Sequence, residues 1–160
     1  MEHGILRSNA ASPGSLLSLL GLSCLAPATF SDPRDARRPF VVDPVDPRIH
    51  FALVCGAKSC PPIRLYSSQN LEEGLAGAAE AFCESEVAVD APNRTVTLSK
   101  IFKWYGKDFA ASKQDLLRRV ASEYLPAGSA QKRDLENLLA NPKGFKVTYA
   151  EYNWDVNSNE

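Results

Sequence analysis

No charge of one sign dominates this chain. Its 160 residues carry 18 basic and 19 acidic side chains, a net charge of −1, and neither half departs from that balance. The basic excess that marks nucleic-acid or anionic-membrane partners is missing. Long hydrophobic runs are missing too. The longest, residues 15–26, covers about 18 Å as a helix at roughly 1.5 Å per residue, well short of a bilayer core of about 30 Å. There is no G-x-G-x-x-G, Walker, H-E-x-x-H or G-x-S-x-G pattern, so no cofactor is expected. Coiled coil, disordered tail and membrane bundle are excluded by composition.

Proline is plentiful and unevenly placed. Eight of eleven prolines fall in residues 1–62, where missing amide donors and fixed φ angles work against regular structure. Residues 8–48 therefore read as a proline-rich connecting arm within one domain, 1–160. The run 15–26 with Pro27-Ala28 has the look of a secretory leader, but His3 and Arg7 stand far from it and are offset by Glu2. It reads instead as a buried or surface-covering segment. In the cytoplasmic setting this implies, Cys24, Cys55, Cys60 and Cys83 are expected as thiols.

The second part of the chain alternates helical and strand periodicities. Ile49–Cys55 is nearly continuous apolar and reads as a buried strand ended by Gly56. Asn70 with Glu73 resembles a capping box opening a helix through Leu71, Leu75, Ala78, Ala79 and Phe82. Val87 and Val89, then Val96 and Leu98, alternate around residues 91–94 as in a β-hairpin. Ser99 opens a short helical turn through Tyr105 that Gly106 ends. Ser112 with Asp115 starts a helix that Pro126 stops, and another runs from Ser129 to Asn141. Phe145, Val147 and Tyr149 form a half-buried strand. The expected class is α+β, a small mixed sheet with helices packed against it after a long proline-rich N-terminal connection.

Candidate chemistry centres on cysteine. Cys55, at a strand end beside a glycine turn, is placed for a nucleophile, although a small buried hydrophobe is the plainer reading. A base or cationic neighbour would lower its pKa, and His3, His50 and Lys58 are the candidates. On one strand, His50 and Cys55 would point to opposite faces about 16 Å apart; His3 is unconstrained. Cys60 makes a C-x4-C spacing that could close a loop disulfide. His50, Cys55 and Cys60 lack the paired short spacings of zinc sites, and no metal is expected. Phe102, Trp104, Tyr105 and Phe109 interleaved with lysines read as a core turn whose lysines reach outward rather than as a single-strand stacking surface.

Three blocks together resemble a known family. Glu2-His3-Gly4-Ile5-Leu6-Arg7, the run from Asp46 through Cys55-Gly56-Ala57-Lys58-Ser59-Cys60-Pro61-Pro62-Ile63-Arg64, and Leu98–Tyr105 resemble, in order, the domain of unknown function 547 family. The closing Tyr149–Asn157 looks like that family's end. The resemblance implies an uncharacterised module, found alone or attached to glutaredoxin-like and other segments, that regulates or positions an attached domain or protein partner. It makes Cys55 with His3 the leading catalytic candidates for a hydrolase or transferase alternative. Cys60 is the redox candidate beside Cys55 for a thiol-disulfide alternative, and Arg7, Lys58 and Arg64 are the binding candidates. Asparagine is common in the family at Val54. Members carry tens of residues ahead of Glu-His, so an N-terminally truncated chain with an exposed apolar patch is expected.

Overall fold

A computed structural model describes residues 1–12, 26–141 and 143–157. The expected roles of Cys24, of most of the run 15–26 and of Pro142 lie outside the described residues. The chain divides into two compact units, residues 1–47 and 48–160.

Among the described residues of the first unit, Glu2–Leu6 forms a helical turn and Arg38–Phe40 a 3-10 turn. With so many prolines, order comes from side chains satisfying backbone groups. Asn9 does this twice: Oδ1 accepts from the Phe30 amide at 2.7 Å and Nδ2 donates to its carbonyl at 3.2 Å. Arg38 donates to that same carbonyl at 2.9 Å, and the Arg37 guanidinium lies 4.3 Å from the Phe30 ring centroid. The Phe30 ring fills the space where Gly4 lacks a side chain, and a Cβ there would overlap ring atoms. Gly4 is thus required by close approach, not by its φ.

The second unit begins where the sequence predicts a strand, and here the expectation is corrected. Residues 47–51 form a 3-10 turn, and 53–55 have no regular structure. A short apolar run cannot by its periodicity be told from a buried helical turn, and Pro47 suits a helical start. The neighbours His50 and Phe51 both reach the Phe109 ring, at 5.4 and 5.5 Å; strand alternation would have sent them to opposite faces. Phe51 is fully buried, its ring 5.1 to 5.7 Å from those of Phe82, Phe102, Phe109 and Tyr124.

Helix α1 spans Leu71–Glu86 and buries Leu75, Ala78, Ala79, Phe82 and Cys83. Asn70 precedes it but makes no side-chain cap; its Oδ1 turns back to accept from the Ser67 amide and hydroxyl at 2.6 and 3.1 Å. Strands β1 (Ala88–Asp90) and β2 (Thr95–Leu98) pair antiparallel. The expected hairpin is present, its turn held by the Asp90 carboxylate accepting from the Asn93 amide. Helices α2 (Lys100–Trp104) and α3 (Gly106–Phe109) follow, so Gly106 opens a helix instead of only ending one. Helix α4 (Lys113–Arg119) runs into a π-helical turn, Val120–Tyr124, and α5 spans Ala130–Ala140. Ser99, Ser112 and Ser129 cap α2, α4 and α5 as the sequence predicts, each hydroxyl accepting a backbone N–H. Strand β3 (Lys146–Tyr149) lies parallel to β2, giving the order β1-β2-β3. The class is α+β with a small mixed sheet.

His50 ties the opening turn to α3: it donates Nε2–H to the Asp108 carboxylate at 2.8 Å, with side chains 2% and 9% exposed, and its ring stacks on Tyr105 at 4.0 Å.

Two substitutions test these contacts. Gly4→Ala forces Phe30 aside and should destabilise by about 1–3 kcal/mol, as overpacking does, seen as a lowered melting temperature. Asp108→Ala leaves a buried donor without this acceptor and should also cost about 1–3 kcal/mol, read as a lower denaturation midpoint at unchanged slope.

Candidate functional site

The Phe51 turn delivers the chain into a loop that carries both candidate thiols. Ala52 and Leu53 donate their amides back to the Ile49 carbonyl at 3.0 and 2.9 Å. Gly56 then takes φ +86°, a left-handed value that favours glycine, and Cys60 closes a turn by donating its amide to Ala57 at 2.9 Å. The C-terminal segment lies along this loop. Asn157 donates to Gly56, Lys58 to Asp155 and Ser59 to Asn153 through backbone amides at 2.9, 2.9 and 3.3 Å. The Asn153 amide donates in return to the Ser59 hydroxyl at 2.9 Å, and Ala57 and Val156 form an isolated antiparallel bridge.

Within this frame Cys55 Sγ and Cys60 Sγ are 3.4 Å apart. The Cys55 amide donates to Cys60 Sγ at 3.0 Å, and the Tyr152 hydroxyl lies 3.7 Å from Cys55 Sγ. Cys55 is exposed, so the reading of it as a small buried hydrophobe does not hold. Cys83, in contrast, is fully buried on α1.

The electrostatics separate these thiols. The Ala57 backbone N–H contributes most to holding the Cys55 thiol below its ordinary range, with hydrogen bonds from Cys60 and Tyr152 adding to it and partial burial opposing. These are neutral dipoles that favour the charged form. Burial alone pushes the Cys83 thiol far up. Tyr152 is also raised, first by desolvation and then by the adjoining sulfurs.

An aromatic group borders the dithiol. Trp104, Tyr152 and Trp154 have ring centroids 4.6 to 5.7 Å apart, and Trp154 is 68% exposed. Phe102 and Phe109 are core residues, as the sequence predicts. The other expected site residues fall in various places. Lys58 is exposed on the thiol loop, 3.8 Å from the Asp155 carboxylate, and Arg64 is exposed beyond it. His3 and Arg7 belong to the first unit; Arg7 is buried, its Nη1 2.9 Å from His3 Nδ1 and 3.2 Å from the Ala11 carbonyl. His50 is buried and engaged by Asp108. Tyr152 is the contributor that spacing alone misses, since it stands 97 positions from Cys55.

A family model, "Protein of unknown function, DUF547", matches residues 1–83, a span that contains both loop cysteines. The chain belongs to the DUF547 family. No curated protein and no solved structure matches it. The DUF547 match covers the loop, while Tyr152 and Trp154 come from the chain beyond the matched span. No helix among the described residues is long and apolar enough to cross a membrane, and no group of three or more metal-ligating side chains occurs among them.

Alkylation at graded pH should label Cys55 in the native protein and leave Cys83 unlabelled until unfolding. Because the Cys55 value is lowered, its reactivity should persist below the free-thiol midpoint of about 8.5 and be lost only as pH falls through the lowered value. Peptide-resolved mass spectrometry reads both.

Proposed function

We propose that this DUF547 domain carries out thiol-disulfide exchange, with Cys55 as the attacking thiol and Cys60 as the resolving one. The observation that carries the reading is the 3.4 Å between the sulfurs, roughly 1.4 Å more than a disulfide bond of about 2.05 Å. The lowered Cys55 thiol and its exposure support it further, since a partly ionised, accessible thiol is the reactive kind.

In the reaction Cys55 gives up its proton to solvent, and its thiolate attacks one sulfur of a small-molecule or protein disulfide. The S–S bond of that substrate breaks and one thiolate leaves. Cys60, deprotonated in turn, attacks Cys55 Sγ, forms the intramolecular disulfide and expels the second substrate thiolate. The two thiolates released take up protons equal in number to those lost by the protein. The substrate disulfide is reduced by two electrons and the protein dithiol is oxidised by two.

Incubation with hydroxyethyl disulfide should yield a protein about two mass units lighter, the 55–60 disulfide. Cys60→Ser should instead accumulate a mixed disulfide at Cys55. Identical oxidised products from both proteins would overturn the reading. No exchange by the unsubstituted protein, with Cys55→Ser altered in stability alone, would return the domain to the partner-positioning role expected from its sequence. Exposed Ile63 and Leu65, at 81% and 90%, favour that role.

A further inference from the structure

We infer that Tyr152 is a positioning residue of the dithiol site, its hydroxyl donating to Cys55 Sγ in the thiolate form and fixing the sulfur for attack. The inference rests on the exchange reading for the use of that thiolate, though not for the hydrogen bond itself.

Three independent features set the hydroxyl where it is. The first is distance: the phenol oxygen stands 3.7 Å from Cys55 Sγ, suited to a hydrogen bond to a large, diffuse sulfur anion. The second is the ring, which packs against two indoles, with centroids 4.9 Å away at Trp104 and 4.6 Å away at Trp154, the indoles themselves 5.7 Å apart. Such aromatic neighbours restrict where a phenol can point. The third is the backbone. Asn153, the next residue, both accepts from the Ser59 amide and donates to the Ser59 hydroxyl, so the base of the tyrosine is tied to the loop that holds the sulfurs.

The direction of the hydrogen bond follows from acidity. An ordinary thiol titrates near 8.5 and an ordinary phenol near 10, so the sulfur loses its proton first. Local surroundings widen that gap, because Cys55 is lowered while desolvation raises Tyr152. Over the range in which Cys55 ionises the phenol therefore keeps its proton and can only donate. It cannot take the thiol proton, which makes it a positioning group and not a general base. A donor aimed at the anion also directs the remaining sulfur lone pairs away from the phenol, so the incoming disulfide must approach from another side.

The test uses the full chain in a Cys60→Ser background, with iodoacetamide alkylation of Cys55 followed across pH by peptide-resolved mass spectrometry. Tyr152→Phe retains the ring but removes the donor. The Cys55 midpoint should rise by about half to one pH unit, a loss of roughly three- to tenfold in thiolate at pH 7, with the melting temperature unchanged. Placing 4-aminophenylalanine at position 152 supplies a neutral N–H donor and should bring the midpoint back down. Were Tyr152→Phe to fold poorly, 4-fluorophenylalanine, a ring with a para substituent and no donor, would take its place at position 152, and the same rise in midpoint is then expected. A midpoint the same in the tyrosine and phenylalanine chains, or one that 4-aminophenylalanine fails to lower, overturns the inference. Failure of the exchange reading is read separately, as absence of the two-mass-unit loss in the chain with both cysteines, and does not move the midpoint.

Discussion

The second unit is organised around the side chain of Phe51. Its ring touches four others carried by α1, α2, α3 and the turn after α4, so elements far apart in sequence share one apolar contact. Burying a phenylalanine contributes roughly 1.5–3 kcal/mol through removal of its surface from water, and the edge-to-face and tilted ring pairs add to that. The residue before it, His50, fastens the same turn by hydrogen bond to Asp108. Phe51 is thus the anchor from which the next nine residues depart, and both thiols lie within those nine.

That anchoring explains how an exposed loop can hold two sulfurs at a defined distance. One end is fixed in the core at Phe51, and the other is closed by Pro61, which is buried. The middle is paired with the C-terminal segment through backbone hydrogen bonds on both sides of Ala57. The groups that favour the Cys55 thiolate are the Ala57 and Cys55 amides, a thiol and a phenol, all neutral. Neutral dipoles act at short range and are screened by salt much less than a distant cation would be. Their effect depends on geometry, and geometry here is supplied by the loop and its C-terminal partner.

The helices and the hairpin were legible because their signals are local. Ser99, Ser112 and Ser129 sit one position ahead of apolar periodicity and cap as such residues do, and Val87–Leu98 alternates around a turn-forming tetrad. The opening strand was misread for an equally local reason. A seven-residue run that is apolar except for His50 satisfies a strand and a buried turn alike, and only the rings that surround Phe51 select the turn. Asn70 illustrates a finer limit: its side chain had two nearby uses, and the backbone of Ser67 took it.

Cysteine spacing located the candidate chemistry without ranking its outcomes. C-x4-C, glycine and two prolines by themselves determined that Cys55 and Cys60 share a short, non-helical loop, because glycine permits φ values other residues avoid and proline cannot continue a helix. Whether the sulfurs faced each other was decided by tertiary structure, through the C-terminal strap that pins Gly56, Lys58 and Ser59. The same strap brought Tyr152 to Cys55 across 97 positions. No periodicity or motif encodes a contact of that separation, since it arises from where the sheet and helices leave the chain end. The sequence alone supplied the reactive groups; the fold supplied their distances, and reactivity follows from distance.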